Sequence, residues 1–175
     1  DGDRVTNEVW ASDDGGATWQ PVLSHDPTAA RFAIGHTFGA VAWRGHAVVI
    51  GTDPLRPPYL GDVWHESDEG RAWTRVATDA PTLGRCFFMT GALGDDLYVM
   101  GGQTQIYDPS TGLADVWRSR DGGVTWEELA PPPWSPRGIS YRPVESGGRL
   151  YVIGGGLYSD RDVVRYNGVF AFDGA

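Results

Sequence analysis

A repeat of about 53 residues runs through the chain and constrains its fold more than any other feature. The repeat contains a short hydrophobic segment with a ring at its end, which occurs as Glu8-Val9-Trp10, Asp62-Val63-Trp64, Asp115-Val116-Trp117 and Gly168-Val169-Phe170. In the first three copies a second tryptophan follows nine residues later, at Trp19, Trp73 and Trp126, and an aliphatic residue comes three positions further on, at Val22, Val76 and Leu129. A fixed period of this length is typical of proteins built from stacked repeats, in which each unit buries its faces against its neighbours.

Each repeat reads as four short β-strands. A proline and, four residues later, an arginine precede the first strand, as Pro27/Arg31, Pro81/Arg85 and Pro133/Arg137. The second strand ends in glycine, and the third strand carries the aromatic residue of the short hydrophobic segment. An Asp-Gly turn leads from the third strand to the fourth. No segment keeps an apolar period of 3.6 residues, so we expect almost no helix. The 25 glycines among 175 residues suit a chain with this many turns.

A four-stranded unit with a period near 50 residues is typical of a β-propeller blade. The sequence therefore predicts an all-β fold, a propeller of four-stranded antiparallel blades with about three blades in this chain, in repeats of about 1–30, 31–83, 84–136 and 137–175. Two strands are expected from the first repeat, four from each of the next two and three from the last. Propellers close with about four to eight blades. Either the chain is part of a longer propeller, which is the favoured interpretation, or two copies form a homodimer that completes the ring.

The turns before the second tryptophan resemble the Asp-box (BNR) repeat, Ser/Thr-x-Asp-x-Gly-x-Thr-Trp. The matching residues are Ser12, Asp14, Gly16 and Trp19 in the first copy, Asp68, Gly70 and Trp73 in the second, and Ser119, Asp121, Gly123 and Trp126 in the third. The middle copy departs from the pattern, because Glu66 replaces the serine and Ala72 the threonine. The glycine-ended strands and the Pro-x-x-x-Arg entries resemble kelch repeats. Both families are β-propellers of the sialidase-like or galactose-oxidase-like kind, and the resemblance implies that fold without implying one activity.

A structural role for these turn residues follows from their chemistry. An aspartate in a tight turn accepts hydrogen bonds from nearby backbone N–H groups, and glycine adopts the positive φ that the turn requires. The tryptophan is expected to pack on its blade. A calcium site is not expected, because the turn lacks the further oxygen ligands that calcium needs.

Charge and composition narrow the classes of partner. The 14 basic residues, all arginine, are outnumbered by 23 acidic residues, and the formal net charge of −9 disfavours nucleic-acid binding. The absence of lysine excludes Schiff-base chemistry.

Cys86 is the single cysteine, so no disulfide forms within the chain. No apolar run is long enough to span a membrane as a helix, and membrane insertion is not expected. An extracellular or periplasmic location is favoured.

No catalytic residue, metal or cofactor is predicted. The four histidines, His25, His36, His46 and His65, lack the close spacing of metal ligands. Cys86 lies in an apolar run, where we expect a buried small side chain.

Two sets of residues are candidates for ligand binding. Arg31, Arg85 and Arg137 are expected at the mouth of a central channel, where their charges need either carboxylates of adjacent blades or a bound anion. The variable loops between the second and third strands carry the other set, Tyr59, Tyr107, Asp108, Tyr158 and Arg161. Loops of this composition on a rigid sheet suit the recognition of carbohydrate or protein.

The sequence thus favours a non-enzymatic binding or scaffold module that recognises a glycan or protein partner through loops on one face of the ring. The alternative is a part of a glycan-active enzyme, a sialidase-like hydrolase, a sugar oxidase or an epimerase, whose catalytic residues lie on blades outside this chain.

Overall fold

The computed structural model describes residues 5–26, 28, 32, 39–51, 58–138, 142–161 and 163–174. Within these ranges the chain forms fifteen β-strands and a single turn of 3-10 helix. The prediction of an all-β fold is therefore confirmed.

The strands lie in chain order within antiparallel sheets. The first sheet pairs β1 (Val9–Ala11) with β2 (Gln20–Leu23), and the second orders β3 (Gly39–Trp43), β4 (His46–Ile50), β5 (Val63–Ser67) and β6 (Ala72–Ala77). The third orders β7 (Met89–Leu93), β8 (Asp96–Gln103), β9 (Gly112–Ser119) and β10 (Glu127–Glu128), with the 3-10 turn Pro109–Thr111 between β8 and β9.

The fourth sheet contains an insertion that the sequence did not predict. It joins β11 (Val144–Ser146), β12 (Arg149–Ile153) and β15 (Val169–Phe172). Between β12 and β15 the chain forms a separate hairpin of β13 (Gly156–Leu157) and β14 (Val164–Arg165). The sequence analysis assigns this segment, which carries Tyr158 and Arg161, to the variable loops between the second and third strands.

Tight turns connect the first and second strands of the sheets. Arg44 and Gly45 join β3 to β4 with φ of 49° and 81°, and Gly147 and Gly148 join β11 to β12 with φ of 59° and 72°. Two consecutive residues with positive φ form the turn whose twist matches that of paired strands.

The core lies between successive sheets. One buried cluster lies between the first and second sheets around Phe32 and Trp64, and another between the second and third around Val63 and Val99. A further cluster, around Tyr98 and Val152, lies between the third and fourth sheets. The sheets also contact one another through their first strands, since β7 lies against both β3 and β11. Each sheet is therefore stabilised mainly by its neighbours in the sequence.

Candidate functional site

The turn before Trp19 holds its aspartate by a closed set of hydrogen bonds. The backbone N–H and the hydroxyl of Thr18 donate to the two carboxylate oxygens of Asp14 at 2.8 and 2.7 Å. The Ser12 hydroxyl donates to Asp14 and accepts from the Gly16 N–H, both at 2.8 Å. These bonds, with that of the Thr18 backbone the strongest, lower the pKa of Asp14 from 3.8 to about 2. We call residues 12–19, 66–73 and 119–126 the tryptophan turns.

The third tryptophan turn repeats this pattern. The backbone N–H and hydroxyl of Thr125 donate to Asp121 at 2.9 and 2.6 Å, and the Gly123 N–H donates to the Ser119 hydroxyl at 2.7 Å. Burial raises the pKa of Asp121, but the hydrogen bonds from Thr125 and Ser119 outweigh it and the net pKa is lowered.

The middle turn reaches a similar shape with different side chains. The carboxylate of Glu66 accepts from the Gly70 N–H at 2.6 Å, in the place of the serine hydroxyl. Asp68 has a φ of 54° and uses its backbone carbonyl to accept from the Arg71 N–H. In all three turns the indole N–H of the tryptophan donates to a turn glycine carbonyl at 3.0 to 3.1 Å.

The second and third tryptophan turns each contact the sheet that precedes their own. A Cβ on Gly123 would lie 2.8 Å from the Val63 side chain, and His65 shares a hydrogen bond of 2.6 Å with the Gly122 carbonyl. A Cβ on Gly70 would likewise lie 3.2 Å from Val9. The positive φ of Gly70 and Gly123 favours glycine at both positions, and at Gly123 the close approach adds a steric reason.

Arg85 is held by a carboxylate of its own sheet. Its guanidinium binds Asp115 of β9 through two parallel hydrogen bonds of 2.8 Å and donates to the Gly101 carbonyl at 3.0 Å. The exposed fractions of the Arg85 and Asp115 side chains are 10% and 16%. The indole N–H of Trp117 also donates to Asp115, at 2.6 Å. The counter-charge thus comes from within the sheet, whereas the sequence analysis expected either carboxylates of adjacent blades or a bound anion.

Arg137 occupies the equivalent position in the next repeat without an ion pair among the described residues. Gly168 stands where the previous repeat has Asp115. The Arg137 guanidinium instead lies 4.7 Å from the ring centre of Tyr166 and 4.9 Å from that of Phe170, and donates to the Gly154 carbonyl at 2.8 Å. Burial lowers the pKa of Arg137, and Tyr166 acts against this shift.

The candidate arginine cluster is therefore composed of separately engaged residues. Arg85 is bound to Asp115, Arg137 is enclosed by two rings, and Arg31 lies outside the described residues. The guanidinium groups of Arg85 and Arg137 each bind the carbonyl of the first glycine in the Gly-Gly pair that closes a second strand, Gly101 or Gly154. That shared contact gives both arginines a role in fixing strand ends.

The loops of the third and fourth sheets meet at one buried amide. Gln103 is fully buried, and its side-chain N–H₂ donates to the carbonyls of Gln105, Asp108 and Tyr158 at 3.0 to 3.3 Å. Its side-chain oxygen accepts from the Tyr158 N–H. One side chain thus fixes the loop that carries Tyr107 and Asp108 to the loop that carries Tyr158.

Three aromatic rings, two from these loops and one from the segment before β7, lie together. Tyr158 lies between Tyr107 and Phe87, with ring centres 5.7 and 5.4 Å apart respectively. Tyr107 is 54% exposed. Phe87 has a φ of 56°, which is costly for a bulky side chain and marks a conformation imposed by its surroundings. We call Phe87, Tyr107 and Tyr158 the aromatic loop surface.

The other loop residues have separate positions. Asp108 accepts from the backbone N–H and hydroxyl of Ser110, and these bonds lower its pKa. The Tyr59 carbonyl accepts from the Gly84 N–H. Arg161 is exposed, and its backbone N–H donates to Ser159. The structure therefore joins Tyr107, Asp108 and Tyr158 through the side chain of Gln103 and the contact between the two tyrosine rings.

Sequence reasoning missed Gln103 and Phe87. Gln103 comes directly after the Gly-Gly pair of β8, the second strand of the third sheet. The sequence signal that could have pointed to it is a polar residue at the end of an otherwise apolar segment. Phe87 stood in an apolar run and carried no separate signal. In the described part of the chain no group of three or more His, Cys, Asp or Glu residues is placed to bind a metal. None of the helices found there has the length and apolar character to cross a membrane.

The fold and this site define an all-β protein of successive antiparallel sheets with an aromatic surface on its loops. No protein-family model matches the chain. It is similar to the human protein "Multiple epidermal growth factor-like domains protein 8", with 33% identity over 120 residues, which is 65% of this chain. The chain spans only about 4% of the length of that relative.

Proposed function

We propose that the sheets are blades of a β-propeller of the Asp-box and kelch type. The order of strands within each sheet, the contacts among the first strands β3, β7 and β11, and the core between successive sheets support this proposal. The ring is completed either by further repeats or by a second copy. Light scattering distinguishes these arrangements, because only self-assembly doubles the mass of the isolated chain.

On this scaffold the aromatic loop surface acts as a non-enzymatic binding site for a glycan or protein partner. The observation that carries the proposal is the joining of two loops from different sheets through the buried Gln103. That side chain binds the backbone of both loops, and the exposed ring of Tyr107 lies against Tyr158 in the chain without a partner. A surface that is already ordered loses less conformational freedom when it binds.

The chemistry of the surface suits recognition. Tyrosine rings have an apolar face for contact and a hydroxyl for hydrogen bonding. The nearby carboxyl of Asp108 is occupied by Ser110, and its lowered pKa keeps it ionised at neutral pH. An ionised, hydrogen-bonded carboxylate can accept hydrogen bonds from a ligand but cannot donate a proton to it.

A glycan array probed with the labelled chain tests this function, followed by titration of the best ligand into variants. Tyr107→Ala is expected to weaken binding by roughly tenfold or more, the usual effect of removing a central aromatic contact. Val124→Ala is the matched control, because Val124 is also exposed but lies in a tryptophan turn at the other end of β9. Equal affinities of the two variants would refute a role for the aromatic loop surface. Binding to proteins but to no glycan would assign the surface to a protein partner.

A further inference from the structure

A small cleft lies between the second and third sheets. Its volume is about 280 Å³, and its walls include Trp117 of β9 and Trp126 of the third tryptophan turn. On the other side they include Asp79 and Pro81, which follow β6 of the second sheet. The cleft is therefore formed by two sheets that both have four strands.

The size and the lining of the cleft suit a single cationic group. Sites that enclose a drug-sized molecule have volumes of about 300–1,000 Å³, and this cleft lies just below that range. It combines two indole side chains with one carboxylate. The face of an aromatic ring attracts a cation, and tryptophan does so most strongly. A carboxylate beside the rings adds a charged hydrogen-bond acceptor for the same group.

The carboxylate of Asp79 is available to a ligand. Asp79 is exposed, and within the part of the chain that the structure describes its side chain makes no hydrogen bond or ion pair. The backbone around it is fixed, because Asp79 forms a bridge with Gly61 and the Ala80 N–H donates to the Gly61 carbonyl at 3.0 Å. A carboxylate on a fixed backbone loses little conformational freedom when it binds a cation.

The preceding repeat shows how the chain itself places a cation on the equivalent ring. Trp64 of β5 occupies the position of Trp117, and the Arg75 guanidinium lies 5.6 Å from its ring centre. Arg75 pairs with Trp64 across the sheet, and its guanidinium lies 3.5 Å from the carboxylate of Asp62. In the second sheet an indole ring and a carboxylate thus hold a guanidinium together.

The third sheet lacks that internal cation. Glu128 pairs with Trp117 across the sheet, at the place where the second sheet has Arg75. Over the Trp117 ring no guanidinium lies among the described residues. The glutamate adds a negative charge instead, and the formal net charge of −9 attracts cations to the chain as a whole. The ring of Trp117 is therefore left to a cation from another molecule.

We propose that this cleft binds the guanidinium group of an arginine side chain presented by another protein. The planar guanidinium stacks on the indole rings and donates hydrogen bonds to Asp79, as guanidinium groups do with aromatic faces and carboxylates. The volume of the cleft leaves the backbone of the bound arginine outside, where the rest of a protein is attached. The site is distinct from the aromatic loop surface and does not rest on the function proposed for that surface.

Titration of acetyl-arginine amide into the isotope-labelled chain tests the proposal, because the capped amino acid presents its side chain as a protein does. In proton–nitrogen correlation spectra the indole N–H signals of Trp117 and Trp126 are expected to shift saturably. The signal of Trp134, which lies in a different cluster, is expected to stay in place. Acetyl-citrulline amide is the matched control ligand, since its urea group has a similar shape and no charge. It is expected to bind about tenfold more weakly or worse.

Two matched pairs of variants test the protein side. Asp79→Asn removes the charge and is expected to weaken binding about fivefold or more, whereas Asp160→Asn makes the same change of charge on an exposed loop and should have little effect. Glu128→Arg places an arginine opposite Trp117, as in the second sheet, and is expected to weaken binding by a similar factor. Asp160→Arg changes the net charge equally and should not. The replaced side chains are exposed, and thermal midpoints establish that the variants fold.

The proposal fails on any of the following results. No saturable shift at Trp117 and Trp126, or an equal response to the citrulline derivative, would exclude a cation held by these rings. Equal affinities of Asp79→Asn and Asp160→Asn would exclude the carboxylate. Tighter binding of free arginine than of acetyl-arginine amide would assign the cleft to a small molecule. Binding that Tyr107→Ala abolishes and Asp79→Asn does not would place the cation on the aromatic loop surface.

Discussion

Removal of the Asp115 carboxylate is expected to destabilise the protein strongly. Asp115→Ala leaves the Arg85 guanidinium, which is 10% exposed, with the Gly101 carbonyl alone. It also takes away the acceptor of the Trp117 indole N–H. The substitution thus isolates a nearly buried charge and one polar group at the same time.

The expected loss follows from the burial of the pair. Breaking a buried, hydrogen-bonded ion pair by removing one partner costs about 3–5 kcal/mol. For a chain of 150–250 residues each kcal/mol lowers Tm by about 2–4 °C, so Tm should fall by roughly 6–20 °C. The double substitution Arg85→Met with Asp115→Leu removes both charges and should recover at least half of the loss.

Urea denaturation and thermal scans of the same variants measure these effects. Asp95→Ala is the control, because the ion pair of Arg44 and Asp95 has exposed fractions of 49% and 72%. An exposed pair of this kind contributes about 0–1 kcal/mol. If Asp115→Ala cost no more than Asp95→Ala, or if the double variant were less stable than Asp115→Ala, the assignment of Arg85 as a buried structural cation would be refuted.

Three further outcomes are expected. In urea denaturation Trp126→Ala should lower the free energy of unfolding by about 3–5 kcal/mol. The Trp19 side chain is 59% exposed, so Trp19→Ala should change that free energy by no more than about 1 kcal/mol. Equal losses for the two variants would contradict the packing described for Trp126. The pKa of Asp14 is lowered from 3.8 to about 2, so its hydrogen bonds stabilise the fold above that range and are lost as the pH falls through it. Asp14→Asn should therefore flatten the fall of Tm with pH in that range. An unchanged slope would argue against a stabilising role of the Asp14 carboxylate. Burial raises the pKa of the Cys86 thiol from 9.0 to about 11, so iodoacetamide should alkylate it at pH 8 about a hundredfold more slowly than a free cysteine, and mass spectrometry showing fast modification would exclude a buried thiol.

The strands and turns were predictable because their signals are local. Alternation and glycine mark a strand and its end within a few residues, and the Asp14 turn closes its hydrogen bonds within eight residues. The repeat adds a second, independent signal, because the same local pattern occurs at the same position in each copy of the repeat. The hairpin of β13 and β14 lacked both signals, because it is short and occurs in one repeat.

The candidate site was predictable only in part, because its contacts join distant segments. Tyr107, Asp108 and Tyr158 were chosen for their residue types, but the amide of Gln103 that joins their loops is 55 residues from Tyr158. The partner of Arg85 was open to prediction from the repeat, because the preceding repeat also has an aspartate at the position of Asp115. The next repeat has Gly168 at that position. The two rings that enclose Arg137 in its place depend on packing that no local pattern encodes.

The direction of the contacts between sheets has a consequence for assembly. Gly70 lies on Val9 and Gly123 lies on Val63, so the second and third tryptophan turns reach backwards along the sequence onto a surface of a different kind. Such a head-to-tail contact is heterologous, and its repetition gives a closed circle when the rotation per unit divides a full turn and an open fibre when it does not. The angle between successive sheets therefore decides whether this chain's architecture ends in a soluble particle or in unlimited growth.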